Sequence, residues 1–385
     1  MSFIAIDELY LRVRARCVRT VRTRTLRRCL PALLAALAVF AVSPVRAQTF
    51  DPSLTIGGGI QTNYQHDDLI GVTDSDTFTL NHARVYLSGT ITDNVSYMFN
   101  TDYSSTDDKL DVLDAVGEFS ATPMFNVWFG RFLPPSDRDN YTGPFYANEW
   151  LVYTDGIQDG YPFVFQGRDN GLLYWGDFKA GIAKIKVSAG AFDGGSATGD
   201  KDVLWAGRVQ VDLWDPEGGY YLNSTYYGDK NLLAFGVASQ DQSGKTATTA
   251  DFLLEKKVMN GGAFTVESEY SRYNALGGYN ANYIQSEGAY GLASFLFPKV
   301  IGIGKFEVLG KYAIAEFTDG LKIPDETHHF PSYRQNTTEV NIDYIIKQFD
   351  ARVMGFYENL HFNGVERPSW EAGVGMQLQI SKTVH

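Results

Sequence analysis

In the stretch HARVYLSGTITDNVSYMFNTDY, residues 82–103, Ala83, Val85, Leu87, Gly89 and Ile91 share one register and His82, Arg84, Tyr86, Ser88 and Thr90 share the other. Alternation at period two marks a strand with one apolar and one polar face. It returns along the chain, near 53–65, 77–92, 94–104, 109–121, 124–133, 171–179, 182–193 and 203–214. A second set falls near 230–240, 248–259, 262–274, 287–299, 304–317, 336–347, 349–362 and 370–382. After residue 48 no helical period is sustained and no apolar run is long enough to cross a bilayer as a helix. The pattern predicts an all-β chain of sixteen strands.

The predicted connections alternate in length. Tight turns fall at Asp93-Asn94, around Pro123, at Ala180-Gly181, at DPEGG (215–219), at NGG (260–262), near Pro298 and at Lys347-Gln348. The interleaved connections, 66–76, 134–170, 194–202, 241–247, 275–286, 318–335 and 363–369, are mostly longer, and only 105–108 is short on that side. A transmembrane antiparallel β-barrel accounts for this asymmetry, with short periplasmic turns, long external loops and an even strand number.

In such a barrel the apolar register faces lipid and the polar register faces the lumen. Ala183, Ile185, Val187 and Ala189 are then outward while Lys184, Lys186 and Ser188 are inward, and Val340, Ile342 and Tyr344 oppose Glu339 and Asp343. The same rule places Arg84, Lys184, Lys186, Arg208, Lys257, Lys311 and Arg352 in the lumen, with Arg131 at the mouth of the longest loop. It also places there Asp102, Asp212, Glu255, Glu267, Glu269, Glu307, Glu339, Asp343 and Glu358. Opposite charges on facing walls suit small polar solutes of either sign. Aromatics such as Tyr153, Trp205, Trp214, Tyr220 and Tyr221 are candidates for interfacial girdles or for packing between strands.

The stretches FGRFLPPSDRDNYTGPFYANEW, VFQGRDNGLLYWG and GAFDG, with ARVYLSGTITDNVSYMFNTDY before them, resemble outer-membrane porins of the phosphate-selective O and P type. The resemblance implies a sixteen-stranded barrel, a homotrimer, and a third external loop, here 134–170, folded inward as a constriction. It also implies rings of Arg and Lys that attract anions such as phosphate. This loop departs from that pattern: Arg138 and Arg168 stand against Asp137, Asp139, Glu149, Asp155, Asp159 and Asp169. Its aromatics, Tyr141, Phe145, Tyr146, Trp150, Tyr153, Tyr161, Phe163 and Phe165, argue for a packed rather than a disordered segment. The candidate constriction and lumen residues are Arg84, Arg131, Asp137, Arg138, Asp139, Arg168, Asp169, Lys184, Lys186, Arg208 and Lys311. For Arg84, Arg131, Arg138 and Arg168 two roles stand open: orienting passing solutes, or pairing with neighbouring Asp, as SDRDN and GRDN suggest, to hold the loop.

Residues 1–47 are of another kind: eight Arg between Arg12 and Arg28, the apolar run CLPALLAALAVFAV, then SPVRAQ. This reads as a cleaved signal peptide, with Val45 and Ala47 at the cleavage site and 48–385 as the barrel. Both cysteines, Cys17 and Cys29, lie in it, so the mature chain has no thiol chemistry. Its removal takes nine Arg with Asp7 and Glu8, and moves the net charge from −12 to about −19. Nucleic acid is excluded as a partner.

The partners expected are outer-membrane lipid and lipopolysaccharide, small solutes or ions, and further copies of the chain; no cofactor is expected. An enzyme is the first rival, a hydrolase or a two-carboxylate glycosidase. Glu267 and Glu269, or Asp137 and Asp139, offer only the pairs that abundance makes inevitable, and adjacent His328 and His329 are a weak metal signal. SDRDN lacks the full calcium-loop spacing. The second rival, a soluble sugar-binding β protein, would leave the outward Phe, Val, Ile and Tyr as large exposed patches.

Overall fold

The structure, a computed structural model, describes residues 52–70, 73–105, 108–154, 156–157, 167–194, 202–258, 261–276, 283–319, 332–365 and 367–384. The signal segment 1–47, the loop residues Asp155, Asp159, Tyr161, Phe163 and Phe165, and His328 and His329 lie outside the described residues.

Sixteen antiparallel strands close into a barrel. They are β1 (Ser53–Asp68), β2 (Ser75–Thr92), β3 (Val95–Ser104), β4 (Lys109–Thr122), β5 (Phe125–Phe132), β6 (Asp169–Ala180), β7 (Ala183–Phe192) and β8 (Leu204–Asp212). The second half comprises β9 (Leu232–Gln242), β10 (Lys245–Val258), β11 (Gly262–Asn274), β12 (Tyr283–Ile301), β13 (Gly304–Asp319), β14 (Ser332–Lys347), β15 (Ala351–Phe362) and β16 (Ser369–Val384). Each strand pairs with its neighbours in the chain, and β16 closes on β1 from Leu54↔Val384 to Asp68↔Trp370. Closure leaves no unpaired sheet edge, which a bilayer would not tolerate.

Alternation sorts the two faces as lipid and lumen require. Val85, Phe235, Val237, Tyr312, Val340, Ile342 and Val374 are exposed on the outside. Asp102, Asp212, Glu255, Glu267, Glu269, Glu307, Glu339, Asp343 and Glu358 are all buried inside. Val340 lies midway along β14 with half its surface exposed. Val340→Arg is expected to destabilise the folded barrel by about 2–4 kcal/mol, the cost of a cation at the bilayer midplane. Equilibrium unfolding from lipid vesicles would measure it, and a cost near zero would place β14 outside the hydrocarbon.

Three connections differ from the sequence expectation. β9 and β10 are joined by Ser243-Gly244 alone, not by a long loop over 241–247. Both residues have positive φ (57° and 83°), the geometry of a two-residue hairpin turn whose twist matches the strands. Pro298 is not a turn: β12 runs through it with a register shift between Leu296 and Val300, because a residue without an N–H is accommodated in a bulge, and the chain turns at Gly302-Ile303. DPEGG is not a tight turn either. Residues 213–231 separate β8 from β9 and fold into the barrel.

Candidate functional site

The barrel interior is occupied by two segments entering from opposite ends. The first follows β5. Asp137 caps the helix α1 (Arg138–Tyr146) by accepting from Asn140 N at 2.8 Å, and Gly143 (φ 55°) with Pro144 breaks it. Burial pushes the Asp137 carboxyl above the usual range, opposed by the hydrogen bonds it accepts from Asn140 and Ser136.

From there the chain is tied around the wall. Gln240 Nε2 donates to Pro135 O at 2.7 Å and Gln61 Nε2 to Pro144 O at 2.8 Å. Gln377 Nε2 donates to Phe145 O at 3.0 Å and Arg352 Nη1 to Ala147 O at 2.7 Å. Further on, Asn148 Nδ2 donates to Ser294 Oγ at 2.9 Å and Thr154 Oγ1 to Glu358 Oε2 at 2.5 Å. Two glycines permit this close docking: a Cβ on Gly59 would run into the Phe145 ring, and one on Gly375 into the Trp150 ring.

The second segment, 213–231, rises from the turn end. Tyr220, Leu222, Ser224 and Thr225 on it are buried. Tyr220 OH donates to Leu133 O at 2.9 Å, Thr225 Oγ1 to Glu255 Oε2 at 2.9 Å, and Ser224 N to Tyr146 O at 3.1 Å. The last is a main-chain bond between the two segments. Tyr141 packs edge-on against Tyr220, their centroids 5.0 Å apart, and Tyr220 lies 4.8 Å from the Trp128 ring. Tyr220 and Tyr221 therefore belong to an interior aromatic cluster, not to an interfacial girdle; Trp205 and Trp214 are exposed.

Four charges lock the segments together. The Arg138 guanidinium forms a bidentate pair with Glu217 (Nη2–Oε2 2.6 Å, Nη1–Oε1 3.0 Å), both wholly buried. Arg138 Nε lies 3.5 Å from Asp251 Oδ1, and Arg208 forks onto the same carboxylate with Nη2–Oδ1 at 2.8 Å. Tyr226 OH and Gln210 Nε2 also donate to Glu217, at 2.8 and 2.7 Å. Burial pushes the Glu217 carboxyl up, but the Arg138 guanidinium, together with the Tyr226 hydroxyl and Lys186, more than offsets it and holds the group below the usual glutamate value.

The remaining candidates are distributed as follows. Arg84 pairs with Asp102 (Nε–Oδ2 3.0 Å) and lies 4.5 Å from the Phe145 ring centroid, on the wall where α1 ends. Lys311 pairs with Glu149 at 2.9 Å. Asp139 N donates to Glu269 Oε2 at 3.4 Å. Lys184 binds Asp177 at 2.8 Å and Glu217 O at 3.1 Å, and Lys186 donates to Gly219 O, so both hold the second segment. Arg168 lies 3.6 Å from Asp114, which also accepts from Tyr221 OH at 2.9 Å. Asp169 accepts from Gly194 N and Asn170 N, each at 2.7 Å, and braces the connection after β7 at the loop end. Lys257 is exposed at the turn end.

Arg131 is not in the lumen. It shares the outward register with Phe129 and donates from Nε to Val112 O at 3.0 Å, while Trp128 and Phe132 point inward. β5 is apolar on both faces, so alternation of polarity could not reveal which parity faces in. Arg138 and Arg168 do pair, but with Glu217, Asp251 and Asp114 rather than with the adjacent Asp of SDRDN and GRDN. The inward acids and the lysines and arginines that meet them are themselves buried. Sequence reasoning missed Glu217 and Asp251; the dense YYLNSTYYGDK run after DPEGG was the available signal that this connection has something to pack against.

No family model and no curated protein matches the sequence. Solved structures do match. The chain is similar to an anion-selective porin from Comamonas acidovorans, with a TM-score of 0.52, 14% identity, and 86% of this chain and 100% of that one covered. It is similar to OmpF of Salmonella typhi, solved in complex with daunomycin (TM-score 0.54, 11% identity, 85% and 97% covered). It is also similar to OprB of Pseudomonas putida, in a high-pH structure (TM-score 0.50, 9% identity, 86% and 94% covered). At these identities the likeness is one of fold, and the chain is a closed sixteen-strand antiparallel β-barrel built like those of the outer membrane.

Proposed function

We propose that the protein is an outer-membrane diffusion channel for small hydrophilic solutes or ions, without catalytic turnover, narrowed by two inward segments. The observation that carries this reading is a closed barrel whose outer face is apolar and whose inner face is lined with charge. The resemblances to porins support it. On this reading the long connections face the cell exterior and lipopolysaccharide, residues 1–47 are the export signal, and the barrel assembles as a homotrimer.

The solute preference follows from charge pairing. Arg84, Arg138, Arg208 and Lys311 each pair with a buried carboxylate, while the interior acids outnumber them. A basic ladder open to phosphate is not what such pairing leaves, so the channel favours cations weakly. Planar-bilayer recording with the purified protein in a salt gradient is expected to give small steps in groups of three, a reversal potential of cation-selective sign, and no block by phosphate. Anion selectivity with phosphate block would restore the phosphate-selective reading, and absence of any current would end the channel reading.

A further inference from the structure

Several buried polar atoms are left without a hydrogen-bond partner, and a group of them shares one stretch of the inner wall. On the inner wall of β13 and β14 they include Glu307 Oε2, Asn341 Oδ1 and both oxygens of Asp343, and Asn148 Oδ1 on the first segment is a further one. These are oxygens that accept and lack anything to accept from; the one donor left over on the same side chains is Asn341 Nδ2. Asp343 is fully buried, and its carboxylate is satisfied on neither oxygen. A buried acceptor stripped of water and given no donor is costly, and an ionised one more so.

The register places these groups together. Glu307 and Asp343 are direct cross-strand partners between β13 and β14, and Asn341 lies two residues from Asp343 on the same face. Asn148 reaches this spot because its Nδ2 donates to Ser294 Oγ at 2.9 Å and to Glu307 Oε1 at 3.3 Å, leaving its amide oxygen over. Like charges directly opposite on paired strands repel.

The positive groups facing this wall are Arg352 and Lys311. Arg352 spends its donors on Gln377 Oε1 (2.8 Å), Ala147 O (2.7 Å) and Tyr227 OH (3.3 Å), and Lys311 on Glu149. Neither gives Asp343 a hydrogen bond.

We propose that Glu307 and Asp343, completed by the amide oxygens of Asn341 and Asn148, bind a hard divalent cation of the Ca²⁺ or Mg²⁺ class. The donor set is all oxygen, as such cations require, and contains no sulfur or imidazole that would favour a softer metal. Two carboxylates match the charge of a divalent ion. Among the described residues no three carboxylate, histidine or cysteine side chains converge as in a closed metal centre, so carbonyl-type oxygens and water complete the shell. Because Asn148 belongs to the first inward segment and the other three to the wall, the cation staples that segment to β13 and β14.

The inference goes beyond the channel reading and does not need current to flow. Calorimetric titration of the EDTA-treated, detergent-folded protein with CaCl₂ and, separately, MgCl₂ tests it, alongside thermal unfolding with and without the ion. The expected result is one saturable site per chain for at least one ion, weakened tenfold or more by Asp343→Asn or Glu307→Gln and lost in the double variant. A rise in Tm on adding that ion is expected in the parent protein and absent from the double variant. Both substitutions keep shape and remove charge, and either single variant suffices should the other fail to fold. No saturable binding to the parent protein, or binding that survives both substitutions, overturns the proposal.

Discussion

Replacing residues 216–230 by a two-residue turn is expected to raise single-channel conductance several-fold. The barrel does not depend on this segment for closure, since β8 and β9 pair directly from Trp205↔Asp241 to Asp212↔Ala234, and Asp215 N reaches Asn231 O at 2.8 Å just before it departs. A hairpin closed at that point would resemble the other connections at the turn end, such as Gly181-Ile182 and Gly302-Ile303. What is removed is the inward run that buries Tyr220, Leu222, Ser224 and Thr225, and with it the partners of Arg138, Lys186 and Glu255. The shortened protein is expected to be less stable and more conductive. Bilayer recordings of the two proteins side by side decide the matter, and equal conductance would show that ions do not pass this segment.

Arg138→Ala is expected to destabilise the folded barrel by about 3–5 kcal/mol, because it strands one buried carboxylate, Glu217, and weakens the surroundings of another, Asp251. Exposed ion pairs at the rims, such as Lys347–Asp350, are expected to contribute far less. The pH dependence carries a sign. Glu217 is held below the usual glutamate value in the folded protein, so its contribution is fully present above that value and is lost as pH falls through the depressed one. The stability difference between the parent protein and Glu217→Gln should therefore be constant at neutral pH and shrink on acidification below about 4.5. Denaturant unfolding from detergent at a series of pH values measures both effects. A difference that grows on acidification would mean that Arg138 does not govern Glu217.

Much of the fold was legible because lipid imposes a simple rule on every strand, and strands such as β7 and β13 obey it residue by residue. The rule fails where both faces are apolar. In β5 the inward Trp128 and Phe132 serve the interior aromatic cluster, so Arg131 looked like a lumenal residue while facing out. Turn chemistry misled for a related reason. DPEGG does bend the chain, but the Tyr-rich run behind it is committed to tertiary contacts that no local signal specifies. The charge pairs were the least legible part. Arg138 has an Asp on each side in sequence, yet its partners Glu217 and Asp251 come from distant elements, and their order in space is set by how two segments meet inside a cylinder.

The docking of the first inward segment bears on how the protein folds. Gln61 on β1 and Gln377 on β16 stand 316 residues apart, bond to each other across the last seam to close, and hold Pro144 and Phe145 from either side. Joining first and last strands is the pairing with the greatest loop-closure cost in the chain, and a segment that binds both partners reduces the freedom each must lose. The bonds that seal the seam and the bonds that seat the segment thus share the same two glutamines, so closing the wall and filling it draw on one set of contacts.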